Sequence, residues 1–142
     1  VVIEGRDFIT VICQTTEGKI ILVEAYPYPW QMKTITAVGG MIEDDEKSKE
    51  AAIRETEEET GYKVENITYL GKTKISFLNT VNNYLYFAIV KRINSKPLDP
   101  NEIISVNEFS IEEIHKLIKN GDILHSSTMN AFLLAKFYNL IK

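Results

Sequence analysis

The chain is 142 residues long, 44% hydrophobic and 25% charged. That balance suits one globular domain, residues 1–142, able to build a core without disulfide or metal staples. Its net charge of −4, with lysines scattered rather than gathered, argues against a polynucleotide partner, which favours a concentrated basic stripe. No apolar run reaches the roughly 18 residues a membrane span requires, and no signal peptide is visible. With a single cysteine there can be no disulfide within the chain, and a cytoplasmic location is expected. The first residue is Val1 rather than Met, so the natural N-terminus is expected to lie upstream.

Two β-rich runs, Phe8 to Gln14 and Lys19 to Ala25, flank Thr15-Thr16-Glu17-Gly18 and predict a hairpin. Cys13 lies in the first run, where a buried structural thiol is expected. The segment Tyr26-Pro27-Tyr28-Pro29-Trp30 breaks the pattern, because two prolines cannot serve a central ladder. A short run, Thr34 to Val38, ends in Gly39-Gly40, where a sharp backbone turn is expected. A helix is predicted from about Asp45 to Thr60, with Gly61 as its stop. Further β-like runs cover Val64 to Ile75 and Asn83 to Val90, the latter alternating so weakly that burial on both faces is expected. Pro97 and Pro100 mark a loop at Lys96 to Asn101. Ser110 and Glu113 form a capping-box pattern that opens a helix to about Asn120. An amphipathic helix is predicted from about Ser127 to Ile141. The order implies an α+β fold, a mixed sheet with helices packed on it.

The informative segment is Gly40 to Tyr62, GMIEDDEKSKEAAIRETEEETGY. On a helix, Glu55, Glu58 and Glu59 stand at i, i+3 and i+4, so their carboxylates share one face. Like charges at that spacing cost an isolated helix about 0.2–0.5 kcal/mol per pair. Arg54 can reach Glu58, but one guanidinium cannot neutralise three carboxylates. A hard cation such as Mg²⁺ can, because it takes oxygen ligands and keeps room for water and phosphate. The bland alternative is a solvated acidic face. Ala51, Ala52, Ile53 and Thr56 supply the small and apolar side chains for close packing on a sheet. Thr56, if buried, can bond its hydroxyl back to the carbonyl at i−4.

The same segment resembles the Nudix box, G-x₅-E-x₇-R-E-U-x-E-E-x-G-U, where U is a bulky aliphatic residue. Gly40, Glu46, Arg54, Glu55, Glu58, Glu59 and Gly61 are in register; Thr56 and Tyr62 stand where the pattern has aliphatic residues. The resemblance implies a Nudix fold, an α/β/α sandwich with a mixed sheet and a catalytic loop–helix–loop. It implies hydrolysis of a diphosphate linkage with Mg²⁺ or Mn²⁺ as cofactor. By resemblance Glu58 and Glu59 would be the main metal ligands, with Glu55 nearby and the Gly39 carbonyl completing the shell. Arg54 would orient the glutamates, and Glu46 would support the helix. A general base outside the box is expected at Glu102, with Glu108 as second choice, whereas Glu112 and Glu113 fit first-turn helix acids.

Weaker similarity over nearly the whole chain, including Ile21 to Tyr26 and Glu102 to Leu134, leans towards hydrolases of ADP-ribose and sugar nucleotides. Two departures from that branch are Pro27, where a basic residue is frequent, and Ser76-Phe77-Leu78-Asn79, where a proline is common. Tyr26, Tyr28 and Trp30 are candidates for stacking on a substrate base, against the alternative that they cover the end of the sheet. His115 and His125 share no metal-ligand spacing and are expected at the surface or at helix ends. The resemblance thus implies a small nucleoside-diphosphate substrate as partner. A homodimer is implied by relatives that build their site across two subunits. Two other readings stay open: a nucleoside triphosphate pyrophosphohydrolase, and a Nudix module that senses a nucleotide or sugar without turnover.

Overall fold

A computed structural model describes residues 5–93 and 103–142. Among these, the elements run β1 (Phe8–Thr15), β2 (Ile20–Ala25), β3 (Thr34–Thr36), β4 (Val38–Met41), α1 (Ser48–Thr60), β5 (Tyr62–Lys74), β6 (Asn82–Arg92), β7 (Ile103–Phe109), α2 (Ile111–Lys119) and α3 (Ser126–Phe137). The strand path is β3-β2-β1-β6-β5, with β4 also paired to β1 and β7 to β2. β1 and β6 are parallel from Phe8↔Asn83 to Thr15↔Val90, whereas β1 pairs antiparallel with both β2 and β4. The sheet is therefore mixed, as the element order implied.

Strand periodicity sends alternate residues of β1 to opposite layers. Ile9, Val11 and Cys13 pack towards Ala51 and Ala52 of α1, while Ile12 packs with Ala131, Phe132 and Ala135 of α3 and Ile114 of α2. β6 divides likewise, Tyr86, Ala88 and Val90 towards α1 and Leu85 and Phe87 towards the other helices. That two-sided burial explains its weak alternation. Each fully buried aliphatic or Phe side chain contributes about 1.5–3 kcal/mol, so the two layers lock the sheet between helices.

β2 and β4 divide one edge of β1. Cys13 faces Ile21 of β2, whereas Val11 faces Val38 and Phe8 faces Met41 of β4. The β3–β4 corner at Ala37 consequently lies where β2 diverges from β1.

Three expectations need correction. Helix α1 begins at Ser48 rather than near Asp45, because Asp45 takes φ of 62°, a left-handed conformation that breaks helix propagation. Gly39 and Gly40 form no sharp turn: they lie within β4, opposite Thr10 and Ile9. The last helix ends at Phe137, four residues early, and Asn139 is left-handed at φ of 58°. Its two faces are not cleanly separated either, since Leu133 and Phe137 are exposed while Ser127 and Thr128 are buried. The hairpin at Thr15–Gly18 and the capping box of α2 stand as expected, the latter with Ser110 Oγ accepting from Glu113 N–H and Glu113 Oε1 accepting from Ser110 N–H. The predicted loop at Lys96 to Asn101 lies outside the described residues.

Candidate active site

Helix α1 is held at both ends, and this fixes which of its side chains face outward. At its start Lys47 N–H donates to Glu50 Oε1 at 3.0 Å, and Ser48 Oγ lies 2.6 Å from the Tyr86 hydroxyl. At its end Gly61 takes φ of 73° and its N–H donates to Glu57 O, while Glu57 Oε2 accepts from Val64 N–H. Ala51 and Ala52 are fully buried and let the helix approach the sheet closely. The buried Thr56 donates its hydroxyl to Ala52 O at 2.7 Å, the back-bond expected of a threonine on this face. A hydroxyl therefore takes the place of an aliphatic side chain without an orphaned polar group.

On the outward side, Arg54 organises the acids. Its Nε and Nη2 donate to Glu46 Oε2 and Oε1 at 2.8 and 3.0 Å. Its Nη1 donates to Glu55 Oε1 at 2.8 Å and to Glu58 Oε2 at 3.2 Å, and Nη2 also reaches Met41 O. This fork-to-carboxylate geometry is the strong form of ion pair. The Arg54 bonds, that to Glu46 foremost, make the guanidinium hold its proton more firmly, and they pull the Glu46 carboxyl below the usual carboxylate range. Glu59 sits on the inner edge of the same face, 9% exposed. Behind it the Cys13 thiol is pushed up to about 12 by burial, with the Glu59 charge adding and the Thr56 hydrogen bond opposing. Among the described residues no three acidic, His or Cys side chains form a ready cation cage; a guanidinium group stands between Glu55 and Glu58 instead.

The glycine requirement lies at Gly40. A β-carbon there would stand 2.6 and 2.7 Å from the two carboxylate oxygens of Glu55. Gly40 is thus small so that Glu55 can lie against β4, not so that the chain can turn. Beyond β4 a cavity of about 400 Å³ opens, lined by Gly39 and Gly40, by Phe8 and Asn83, and by His125 and Ser127.

Other candidates lie apart from the acidic face. Tyr26, Tyr28 and Trp30 are exposed, Tyr28 at 80%, and Tyr28–Trp30 forms a 3-10 turn. Glu102 lies outside the described residues. Glu108 is exposed on β7 opposite Ile21, and its charge acts, after burial, to raise the Tyr62 hydroxyl. His115 Nε2 pairs with Lys136 Nζ on the exposed surface. His125 is a helix-end residue, as expected, but it is half-buried and lines the cavity. No local pattern pointed there, because the other lining segments, up to Asn83, all lie more than forty residues before His125 in sequence.

The structure thus lays an Arg-bridged glutamate helix against a glycine-bearing strand of a mixed sheet. Residues 5–132 match the family profile described as NUDIX domain, and the chain belongs to that family. It is 30% identical over 141 residues to the methanol dehydrogenase activator of Bacillus methanolicus, covering 94% of this chain and 74% of that protein. It is 28% identical over 126 residues to the ADP-ribose pyrophosphatase of Bacillus subtilis, covering 87% and 68% respectively. A solved ADP compounds hydrolase superposes with a TM-score of 0.79 at 17% identity, covering 94% of this chain and 72% of that one. A NUDIX hydrolase from Nitrosomonas europaea gives 0.76 at 20% identity, covering 96% and 90%. These two likenesses bear on the fold. Among the described residues no helix is long and apolar enough to cross a membrane.

Proposed function

We propose that the chain hydrolyses the diphosphate linkage of a nucleoside diphosphate joined to another moiety, with ADP-ribose or a sugar nucleotide as substrate and Mg²⁺ or Mn²⁺ as cofactor. The single observation that carries this is the Arg54 fork: it ties Glu46, just ahead of α1, to Glu55 and Glu58 on a helix fixed at both ends. The residues fit a hard cation. Their donors are oxygens throughout, carboxylates with one backbone carbonyl, and the missing side chain at Gly40 lets Glu55 lie against β4. Glu58 and Glu59 would be the main ligands, with Glu55 and the Gly39 carbonyl completing the set. A bound ion supplies Lewis-acid stabilisation of phosphate oxygens and lowers the pKa of a water.

Around that chemistry the chain's own residues have distinct tasks. Arg54 orients the carboxylates, and Glu46 anchors Arg54. Glu102 takes the proton of the attacking water. Tyr26, Tyr28 and Trp30 offer exposed faces for stacking on the substrate's base. Similarity to an ADP-ribose pyrophosphatase over 87% of the chain supports the substrate class. The protein acts in the cytoplasm and as a homodimer in this reading.

The test is a panel of ADP-ribose, other sugar nucleotides, dinucleoside polyphosphates and nucleoside triphosphates with Mg²⁺ or Mn²⁺, products being resolved by chromatography. Cleavage of ADP-ribose to two phosphorylated products, abolished by Glu58→Gln, is expected. Release of pyrophosphate from a triphosphate would move the assignment to the triphosphate branch. A folded protein that binds the compounds and turns none over would be a sensing module.

A further inference from the structure

The start of α3 is tied to two separate parts of the sheet by neighbouring hydroxyls. Asn83 Nδ2 donates to Ser127 Oγ at 2.7 Å, and Asn83 Oδ1 accepts from Thr10 Oγ1 at 3.1 Å; this joins α3 to β6 and β1. One residue later, Thr128 Oγ1 accepts the Ala37 N–H at 2.9 Å, which joins α3 to the β3–β4 corner. Thr10, Asn83, Ser127 and Thr128 are all 5% exposed or less. Buried polar groups are costly unless hydrogen-bonded, so this set of bonds holds α3 in one position against the strand that carries Gly39 and Gly40.

Thr128 Oγ1 also lies 2.9 Å from His125 Nδ1. A hydroxyl that accepts from Ala37 still has its own proton to give, and Nδ1 can take it. The imidazole hydrogen then resides on Nε2, the ring nitrogen that Thr128 does not engage, and His125 lines the cavity together with Gly39 and Gly40. Of the cavity's polar residues, Thr10, Asn83 and Ser127 bond one another, which leaves His125 and Ser126 beside them, and apolar Phe8 and Ile75 form other parts of the wall. Sites of this composition orient a ligand through a small number of placed polar contacts.

We propose that His125 contacts the substrate, donating from Nε2 to an acceptor on the group attached to the diphosphate, and that Thr128 is the positioning residue that aims it. This rests on the diphosphate-hydrolase reading above. Burial lowers the tendency of His125 to protonate, in keeping with a neutral imidazole as donor. Neither residue belongs to the acidic box, so the effect falls on substrate binding.

The chain has two histidines, which makes His115 an internal control. ADP-ribose titrated into the Glu58→Gln protein should move the His125 ring resonances in the NMR spectrum and leave those of His115 in place. In the otherwise wild-type enzyme, Thr128→Val and His125→Gln should each raise KM for ADP-ribose about three- to tenfold, the loss of one hydrogen bond, with kcat within about twofold. Thr128→Ser should restore KM. His125→Gln leaves the Thr128–Ala37 bond in place and so separates loss of contact from loss of fold. A wild-type enzyme that hydrolyses ADP-ribose while His125→Gln keeps its KM, or while the His125 resonances stay fixed, overturns the inference alone. A wild-type protein that hydrolyses nothing overturns the underlying reading and this inference with it.

Discussion

Gly40 and Glu55 are complementary: both carboxylate oxygens of Glu55 lie within 2.7 Å of where a β-carbon on Gly40 would stand. Gly40→Ala should therefore act through Glu55 and not through backbone strain, since Gly40 sits in ordinary strand pairing with Ile9. The end of a glutamate can move, but this one is also held by Arg54 at 2.8 Å. The expected result is a melting temperature lowered by only a few degrees, a cost of about 1 kcal/mol, with metal-dependent turnover reduced at least about tenfold. Full activity in the alanine variant would show that Glu55 need not lie against β4.

Arg54→Lys keeps the charge and removes the fork. An ammonium group cannot make the bidentate bond to Glu46 and reach Glu55 and Glu58 together. Because Arg54 and Glu46 are partly buried, with side chains 24% and 14% exposed, the variant should lose about 1–2 kcal/mol of stability. A double-mutant cycle with Glu46→Gln measures the coupling. Additive effects would mean that the pair contributes nothing beyond its separate parts.

The acid limb of the stability curve should carry the Glu46 signature. Its folded pKa is depressed, first by the Arg54 hydrogen bond, so the unfolded chain takes up a proton more readily than the folded one. The stabilisation is present above the ordinary carboxylate value of 4.5 and is lost as pH falls through the folded pKa. Denaturant melts of wild type and Glu46→Gln should differ above pH 5 and converge towards lower pH. A constant gap across that range would remove the ion pair as the cause.

Cys13 should be inert in the folded protein. It is fully buried, and its thiol is pushed up to about 12, first by burial, so the reactive thiolate is scarce near neutrality. A thiol-alkylating reagent should label it only in denaturant, and labelling of the native chain at the unfolded rate would contradict its packing behind α1.

Thr56→Val should change stability by no more than about 1 kcal/mol, because the Thr56 hydroxyl donates to a carbonyl of its own helix and its other partner is the weakly bonding Cys13 thiol. Activity should be retained. A loss of several kcal/mol would mean that the Thr56–Cys13 contact behind the helix does more than fill space.

The sequence by itself determined the acidic helix, its glycine stop, the α2 capping box and the mixed α+β layering, since each rests on spacing within a few turns or on strand alternation. The box register from Gly40 to Gly61 was legible because a helix places i, i+3 and i+4 on one face whatever surrounds it. Only the tertiary structure decided what Gly40 is for: the space it leaves is filled by Glu55, fifteen residues on, and no local pattern records a contact made across a strand. The same holds for His125. As a sequence it is a lone histidine before a helix; its place in the cavity follows from Thr128 meeting Ala37 across 91 residues. Short-range geometry is written in the order of residues, whereas a cavity wall is written in the packing of segments that the order alone does not bring together.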